Sequence, residues 1–197
     1  MTEKPFSESC ERNREPIHAI LREVFTTPGK VLEIGSGTGQ HAVYFSAALP
    51  HLIWQTSDVP ANHAGIQQWL DEARLPNVLP PLTLDVHGTW PDGEFDGVFT
   101  ANTLHIIDWA GGQKLIAGAA ARLLPGGRLV IYGPFNYGGQ FTSESNARFE
   151  RWLKERNPVS GIRDFEAVLA TAEAHRMRLL ADHAMPANNR LLVFYRF

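Results

Sequence analysis

At 197 residues, 44% of them apolar, the chain is long enough for one full core with at most a small insertion. A net charge of −3 with no basic run argues against a nucleic-acid partner held by phosphate contacts. The single cysteine, Cys10, excludes an internal disulfide and any Cys-rich metal site, and it fits a reducing, cytoplasmic compartment. The N-terminus reads Met-Thr-Glu-Lys-Pro, without the apolar core of a signal peptide. No apolar run approaches the length of a membrane span.

Ser7 to Arg14 is polar. Pro16 suits the first turn of a helix, where its missing N–H costs nothing. Ile17, Ile20, Leu21, Val24 and Phe25 then fall on one helical face, predicting a helix of two to three turns that ends before Pro28-Gly29.

Lys30 to Ile34 is a short apolar run with one acid, Glu33, and reads as a buried strand. Gly35, Gly37 and Gly39 follow, and Ala42, Val43, Phe45, Ser46 and Leu49 are spaced as a helix. Strand, glycine turn and helix open a nucleotide-binding α/β domain, because glycines let the backbone bend and a ligand approach. A dinucleotide motif spaces its glycines G-x-G-x-x-G, and here Gln40 takes the last place. Glu33 would repel a pyrophosphate and suits a ligand with an ammonium group and a positive centre, as S-adenosylmethionine has. Glu33-Ile-Gly-Ser-Gly-Thr-Gly39 resembles the first motif of class I S-adenosylmethionine-dependent methyltransferases. In those enzymes a helix ahead of the first strand often packs beside the cofactor cleft. Asn13 and Arg14 are then placed to reach a cofactor carboxylate; otherwise they are solvated or capping residues.

Leu52 to Ser57 predicts the second strand, ending at Asp58. An acid at this distance from the glycines accepts from ribose hydroxyls, or else it caps the helix that Pro60 opens. Ile66, Trp69, Leu70 and Ala73 stripe that helix up to Pro76. Pro80 and Pro81 confine the next strand to Leu82–Leu84. In the class I pattern Asp85 then accepts from the adenine amine and Val86 flanks the ring. Phe95 to Ala101 is the fourth strand, and Asn102-Thr-Leu-His-Ile106 leaves the end where open α/β sheets bind ligands. By the class I pattern this loop closes the cofactor cleft. Its Asn102 holds cofactor, and His105 orients the substrate or takes a proton. A lone histidine between Leu104 and Ile106 also suits plain packing. The remaining histidines are scattered, so no metal site is expected.

Leu115 to Leu124 forms a helical face stopped by Pro125-Gly-Gly127, and Arg128 to Tyr132 is the fifth strand. Residues 133–161 are irregular, polar and strewn with aromatics, which suits a lid over a substrate, with a short helix from Ser145 to Arg156. A surface excursion whose aromatics pack on the core is the alternative. Phe165 to Ala172 stripe the last long helix. Arg178–Ala184 and Leu191–Phe197 are two strands joined through Pro186-Ala-Asn-Asn189, too short for a crossover, so they run antiparallel.

Over nearly its full length the chain resembles the methyltransferase-like 26 proteins, long described as a domain of unknown function. The likeness rests on Asn13-Arg-Glu-Pro-Ile17, the glycine motif, Asn102-Thr-Leu-His105, Tyr132-Gly-Pro-Phe135, Thr142-Ser-Glu-Ser-Asn-Ala-Arg-Phe149 and Met185-Pro-Ala-Asn-Asn189. It implies a Rossmann-like class I methyltransferase fold in one domain, 1–197, with a mostly parallel seven-stranded sheet and a C-terminal antiparallel hairpin. S-adenosylmethionine is the expected cofactor, held by Arg14, Glu33, Gly35, Gly37, Gly39, Asp58, Asp85, Val86 and Asn102. Tyr137, Ser145, Asn146, Asn188 and Asn189 are expected to face a small acceptor, planar or neutral, with His105 the candidate catalytic group. No nucleic-acid, membrane or metal partner is expected, and the oligomeric state is left open. A scaffold without turnover and a nicotinamide-dependent oxidoreductase are the alternatives.

Overall fold

The computed structural model describes residues 4–197. It is a mixed α/β fold whose strands form a seven-stranded sheet, parallel for the most part and ending in an antiparallel hairpin, as expected. The chain divides into two compact units, one ending at Phe99 and one running from Thr100 to Phe197.

The first unit holds α1 (Glu8–Val24), β1 (Gly29–Ile34), α2 (Gln40–Ala48), β2 (Leu52–Asp58), α3 (Pro60–Ala73), β3 (Val78–Thr83) and most of β4 (Phe95–Ala101). The second holds α4 (Trp109–Arg122), β5 (Leu123–Gly133), β6 (Phe135–Asn136), α5 (Glu144–Arg156), β7 (Arg163–Asp164), α6 (Phe165–Ala174), β8 (Met177–Met185) and β9 (Asn189–Arg196). The sheet order is β3-β2-β1-β4-β5-β9-β8, and β6 and β7 form a separate short pair.

Three expectations need correction. First, α1 starts at Glu8, not at Pro16. Ser7 Oγ accepts from Cys10 N at 3.4 Å, and Glu8 and Glu11 lie in the first turn, where acids favour a helix start. Pro16 is therefore interior, and Asn13 and Arg14 are helical. Second, β3 runs through Pro80 and Pro81. It is an edge strand, where a missing N–H can be tolerated. The β2–β3 register shifts between Gln55 and Ser57, where the prolines fall, and β2 side chains bond the β3 carbonyls there: Gln55 Nε2 donates to Pro80 O at 2.7 Å and Thr56 Oγ1 to Leu79 O at 2.8 Å. Third, β5 takes in Pro125-Gly-Gly127, although its ladder with β9 begins only at Arg128 and runs to Gly133 opposite Arg190.

In the first unit Ile17 and Leu21, one turn apart on α1, are fully buried. Phe45, Trp54 and Phe99 form an aromatic cluster with ring centroids 5.4 to 5.7 Å apart. Gly97 lies in β4 where a Cβ would stand 2.3 Å from Phe25 Cε1. Gly97→Ala is expected to cost about 1–3 kcal/mol through overpacking. Urea unfolding would measure it, and an unchanged midpoint would show that the Phe25 ring yields freely. In the second unit Leu129, Ile131, Leu192 and Phe194 alternate with neighbours on the other face, and Leu115, Ile116 and Val168 of the helices are fully buried with them.

Candidate functional site

The bend after β1 is built from left-handed backbone. Gly35, Gly37 and Gly39 have φ of 73°, 59° and 92°. The end of β2 stitches it in place. Gly35 N and Ser36 N both donate to Ser57 O at 3.0 Å, and Ser57 Oγ donates to Glu33 O at 2.6 Å. A Cβ on Gly37 would meet only Gly35 O, at 4.0 Å, so this side of the bend is open. A Cβ on Gly39 would stand 3.1 Å from Ile66 Cα.

Two carboxylates flank the bend. Asp58 Oδ2 accepts from Gly37 N at 2.7 Å, while Oδ1 accepts from Val59 N at 2.7 Å and Asn62 Nδ2 at 2.9 Å. Asp58 thus anchors the glycine bend, and Val59, not Asp58, is the N-cap of α3. Glu33 is 2% exposed and takes the Trp54 indole N–H at 3.2 Å. Burial pushes its carboxyl up to about 7; the hydrogen bonds from Trp54 and Ser36 pull it back, and the Asp58 charge raises it again. Glu33 pairs with Thr56 across β1 and β2, two residues before Asp58, so both acids stand at the ends of neighbouring strands.

The start of α1 is clasped to the bend. Gln40 Oε1 accepts from Ser7 N at 2.6 Å and Thr38 Oγ1 at 3.0 Å, and Gln40 Nε2 donates to Glu11 Oε1 at 2.8 Å. Asn13 is 7% exposed, and its Oδ1 lies 2.6 Å from His41 Nε2. Burial, and then the charge of Arg14, push His41 down to about 4, so it is neutral at pH 7. Arg14 pairs with Glu11 at 2.6 Å and lies 4.8 Å from the Tyr44 ring, while its Nε is buried without a partner. Gln40, Glu11 and His41 were not expected here. The signal for Gln40 was a polar residue in the place of a motif glycine. Asp85 is exposed and closes a turn by accepting from His87 N at 2.9 Å, and Val86 is buried.

In the second unit Asn102 takes a left-handed φ of 57° and donates its N–H to Tyr132 O at 2.9 Å. A Cβ on Gly133 would stand 3.6 Å from His105 Nδ1 and 4.0 Å from Asn102 Oδ1, so these residues adjoin. His105 is 5% exposed and packs edge-on to Phe149 at 5.3 Å. Burial, with the Arg163 charge second, pushes it down to about 4. An imidazole of such low basicity orients a ligand better than it takes a proton. Its loop is stapled by Arg163, whose Nε donates to Leu104 O at 2.9 Å and whose Nη2 donates to Ile107 O, and by Gly161 N on His105 O at 2.9 Å. The aromatics of 133–161 divide: Phe135 is core at 1% exposed, whereas Phe141 and Trp152 are both 44% exposed.

All five acceptor-side candidates meet within this unit. Tyr137, Asn188 and Asn189 line a pocket of about 340 Å³ with Thr142, Ala184, Met185 and Arg190. Ser145 Oγ accepts from Asn188 Nδ2 at 3.1 Å, and Asn146 Nδ2 donates to Asn188 O at 3.1 Å. They brace a strained turn in which Ala187 and Asn188 have φ of 57° and 58°. Left-handed backbone costs roughly 1–2 kcal/mol per non-glycine residue, and such outliers gather at functional sites. Arg190, Asp182 and Thr142 were missed, because nothing local in the sequence ties them to Tyr137.

A family model described as "Protein of unknown function (DUF938)" matches residues 4–196. Among solved structures the chain is similar to an O-methyltransferase family protein from Burkholderia thailandensis. That pair shares 18% identity with a TM-score of 0.82 over 92% of this chain and 55% of the other. An O-methyltransferase family 2 protein from Planctomyces limnophilus, in complex with apigenin, gives 14%, 0.85, 96% and 58% for the same quantities. The S-adenosylmethionine-dependent methyltransferase SibL, in its apo form, gives 20%, 0.81, 95% and 55%. The chain spans little more than half the length of these proteins, and at such identities the likeness establishes the fold.

Proposed function

The chain belongs to the DUF938 family, and we propose that it binds S-adenosylmethionine through its first unit and passes the methyl group to a small-molecule acceptor. The supporting observation is Glu33: a buried carboxylate whose hydrogen-bond donors are neutral, at the tip of β1, beside an open glycine bend. Such a group is costly to bury unless a cation joins it. S-adenosylmethionine offers an ammonium and a sulfonium.

The rest of the donor set fits the same molecule. Arg14 has a buried Nε with no partner, suited to a carboxylate. Among the described residues Asp58 Oδ2 accepts only from Gly37 N and has a lone pair left for a ribose hydroxyl, Gly37 leaves the backbone bare on its open side, and Gly35 and Gly39 shape the bend. Asp85 and Val86 are assigned to the adenine. This cofactor assignment rests on first-unit residues alone. When bound, the cofactor supplies an electrophilic methyl, so the chain's task is placement, which can remove roughly 7–11 kcal/mol of barrier. The narrower likeness to the methyltransferase-like 26 proteins belongs to the same proposal, as does a cytoplasmic location. The net charge of −3 favours a small acceptor over a nucleic acid. A nicotinamide dinucleotide suits the bend poorly, because Gln40 fills the motif's last glycine position and is committed to Ser7 and Glu11.

Calorimetric titration with S-adenosylhomocysteine tests the proposal. Saturable binding is expected. A folded sample that gives no binding at millimolar ligand overturns it.

A further inference from the structure

The pocket of the second unit carries a cation, which the expectation of a planar or neutral acceptor did not include. Arg190 lines it, with its side chain 27% exposed. Arg190 Nε donates to Asp182 Oδ1 at 2.8 Å and Nη2 to Asp182 O at 3.1 Å. Asp182 Oδ2 accepts from the Tyr137 hydroxyl at 2.7 Å. Both oxygens of Asp182 are therefore engaged, and the guanidinium is held in one orientation. Tyr137 is itself fixed, stacked on Phe165 with centroids 5.0 Å apart. The guanidinium carries more N–H groups than Asp182 and the Tyr137 hydroxyl can take, arranged in the planar fork that matches a carboxylate. Ala184 and Met185 give the same pocket apolar lining.

We propose that this pocket binds a small molecule that presents a carboxylate to Arg190 and an apolar body to Ala184 and Met185. A phosphate also matches the fork, but its second charge would stand beside the Asp182 carboxylate, so a single negative charge is favoured. The inference rests on the proposed function only where it makes this molecule the methyl acceptor. Binding itself needs only residues of the second unit.

The test uses the full chain without cofactor, titrated with 4-hydroxybenzoate, its neutral amide 4-hydroxybenzamide and phenyl phosphate, read by calorimetry and ligand-observed NMR. The carboxylate is expected to bind at least about tenfold more tightly than the amide, since charge-assisted bidentate bonds are the stronger kind, and more tightly than phenyl phosphate. Binding is expected to be lost in Arg190→Gln. It is also expected to be lost in Ala184→Trp, which fills the pocket from an exposed position of β8 and removes no hydrogen bond. That variant decides the matter where Arg190→Gln fails to fold. Equal affinity for acid and amide, no binding to folded protein at millimolar ligand, or undiminished binding in Ala184→Trp overturns the proposal. Tighter binding of phenyl phosphate overturns the choice of carboxylate. S-adenosylhomocysteine titrated into the same samples separates the claims: its binding without that of the carboxylate sinks only the pocket proposal, and the reverse sinks only the methyltransferase one.

Discussion

Replacing Gly39 by alanine is expected to lower stability by about 2–4 kcal/mol, from left-handed strain and overpacking together. Gly39 holds φ at 92° as the N-cap of α2, and an added Cβ would press within 3.1 Å of Ile66 Cα and 3.2 Å of Ile66 O. These are α3 backbone atoms and cannot swing aside as a side chain tip would. Gly37→Ala makes the informative contrast. Its φ is 59°, but the new Cβ meets nothing closer than 4.0 Å, so roughly 1 kcal/mol is expected from the backbone alone. If a nucleoside ligand sits on this open side, Gly37→Ala keeps the fold and loses at least about tenfold in S-adenosylhomocysteine affinity, about 1.4 kcal/mol. Urea unfolding beside calorimetry reads both quantities. Two variants that match in stability would refute the packing argument. Full affinity in a folded Gly37→Ala would remove the ligand from the bend.

Glu33→Gln is expected to change the pH dependence of stability and of binding in opposite senses. The folded carboxyl lies at about 7 against 4.5 for an unperturbed glutamate. Between those values the folded chain keeps a proton that the unfolded chain has released. Glu33 therefore subtracts stability as pH rises through that window, reaching about 3 kcal/mol by pH 8 at ~1.4 kcal/mol per unit. His41 and His105, both pushed down to about 4 from 6.5, act the other way. Below 6.5 the unfolded chain holds protons that the buried rings refuse, so their contribution grows as pH rises from about 4 to 6.5. The wild-type profile mixes the three, and the difference between wild type and Glu33→Gln isolates the first. That difference is expected to be small near pH 4.5 and to favour the variant by about 3 kcal/mol at pH 8. Binding should move oppositely. Wild-type affinity for S-adenosylhomocysteine, which keeps the ammonium, rises as Glu33 ionises through pH 7, and the variant loses both affinity and slope. Parallel denaturation profiles from pH 5 to 8 would place the Glu33 carboxyl back in the ordinary range.

Where the sequence misled, the cause was a local rule overruled by a partner far along the chain. Pro16 reads as a helix start only if Ser7, nine residues earlier, is not already capping one. Pro80 and Pro81 exclude a strand only if no Gln55 and Thr56 stand beside them with side chains to spare. Arg190 and Asp182 on the hairpin went unremarked for the same reason, since nothing local in the sequence ties them to Tyr137.

What the sequence alone determined is whatever lies within a few residues of itself: the strand–glycine–helix unit at Glu33 to Gly39, the helical stripes, and the short link that forces β8 and β9 antiparallel. Backbone conformation and side-chain period are set over one or two turns or pleats, so those signals survive in the linear string. The tertiary structure alone decided that Gln40 clasps Ser7 and Glu11, that Asp58 holds Gly37, and that Tyr137 and Arg190, both bonded to Asp182, line one pocket. Each joins positions eight to forty-five residues apart. A hydrogen bond worth about 1 kcal/mol cannot bring such positions together; burial of the core does that first, and the polar partners are then whichever side chains the packed strands carry to the same edge.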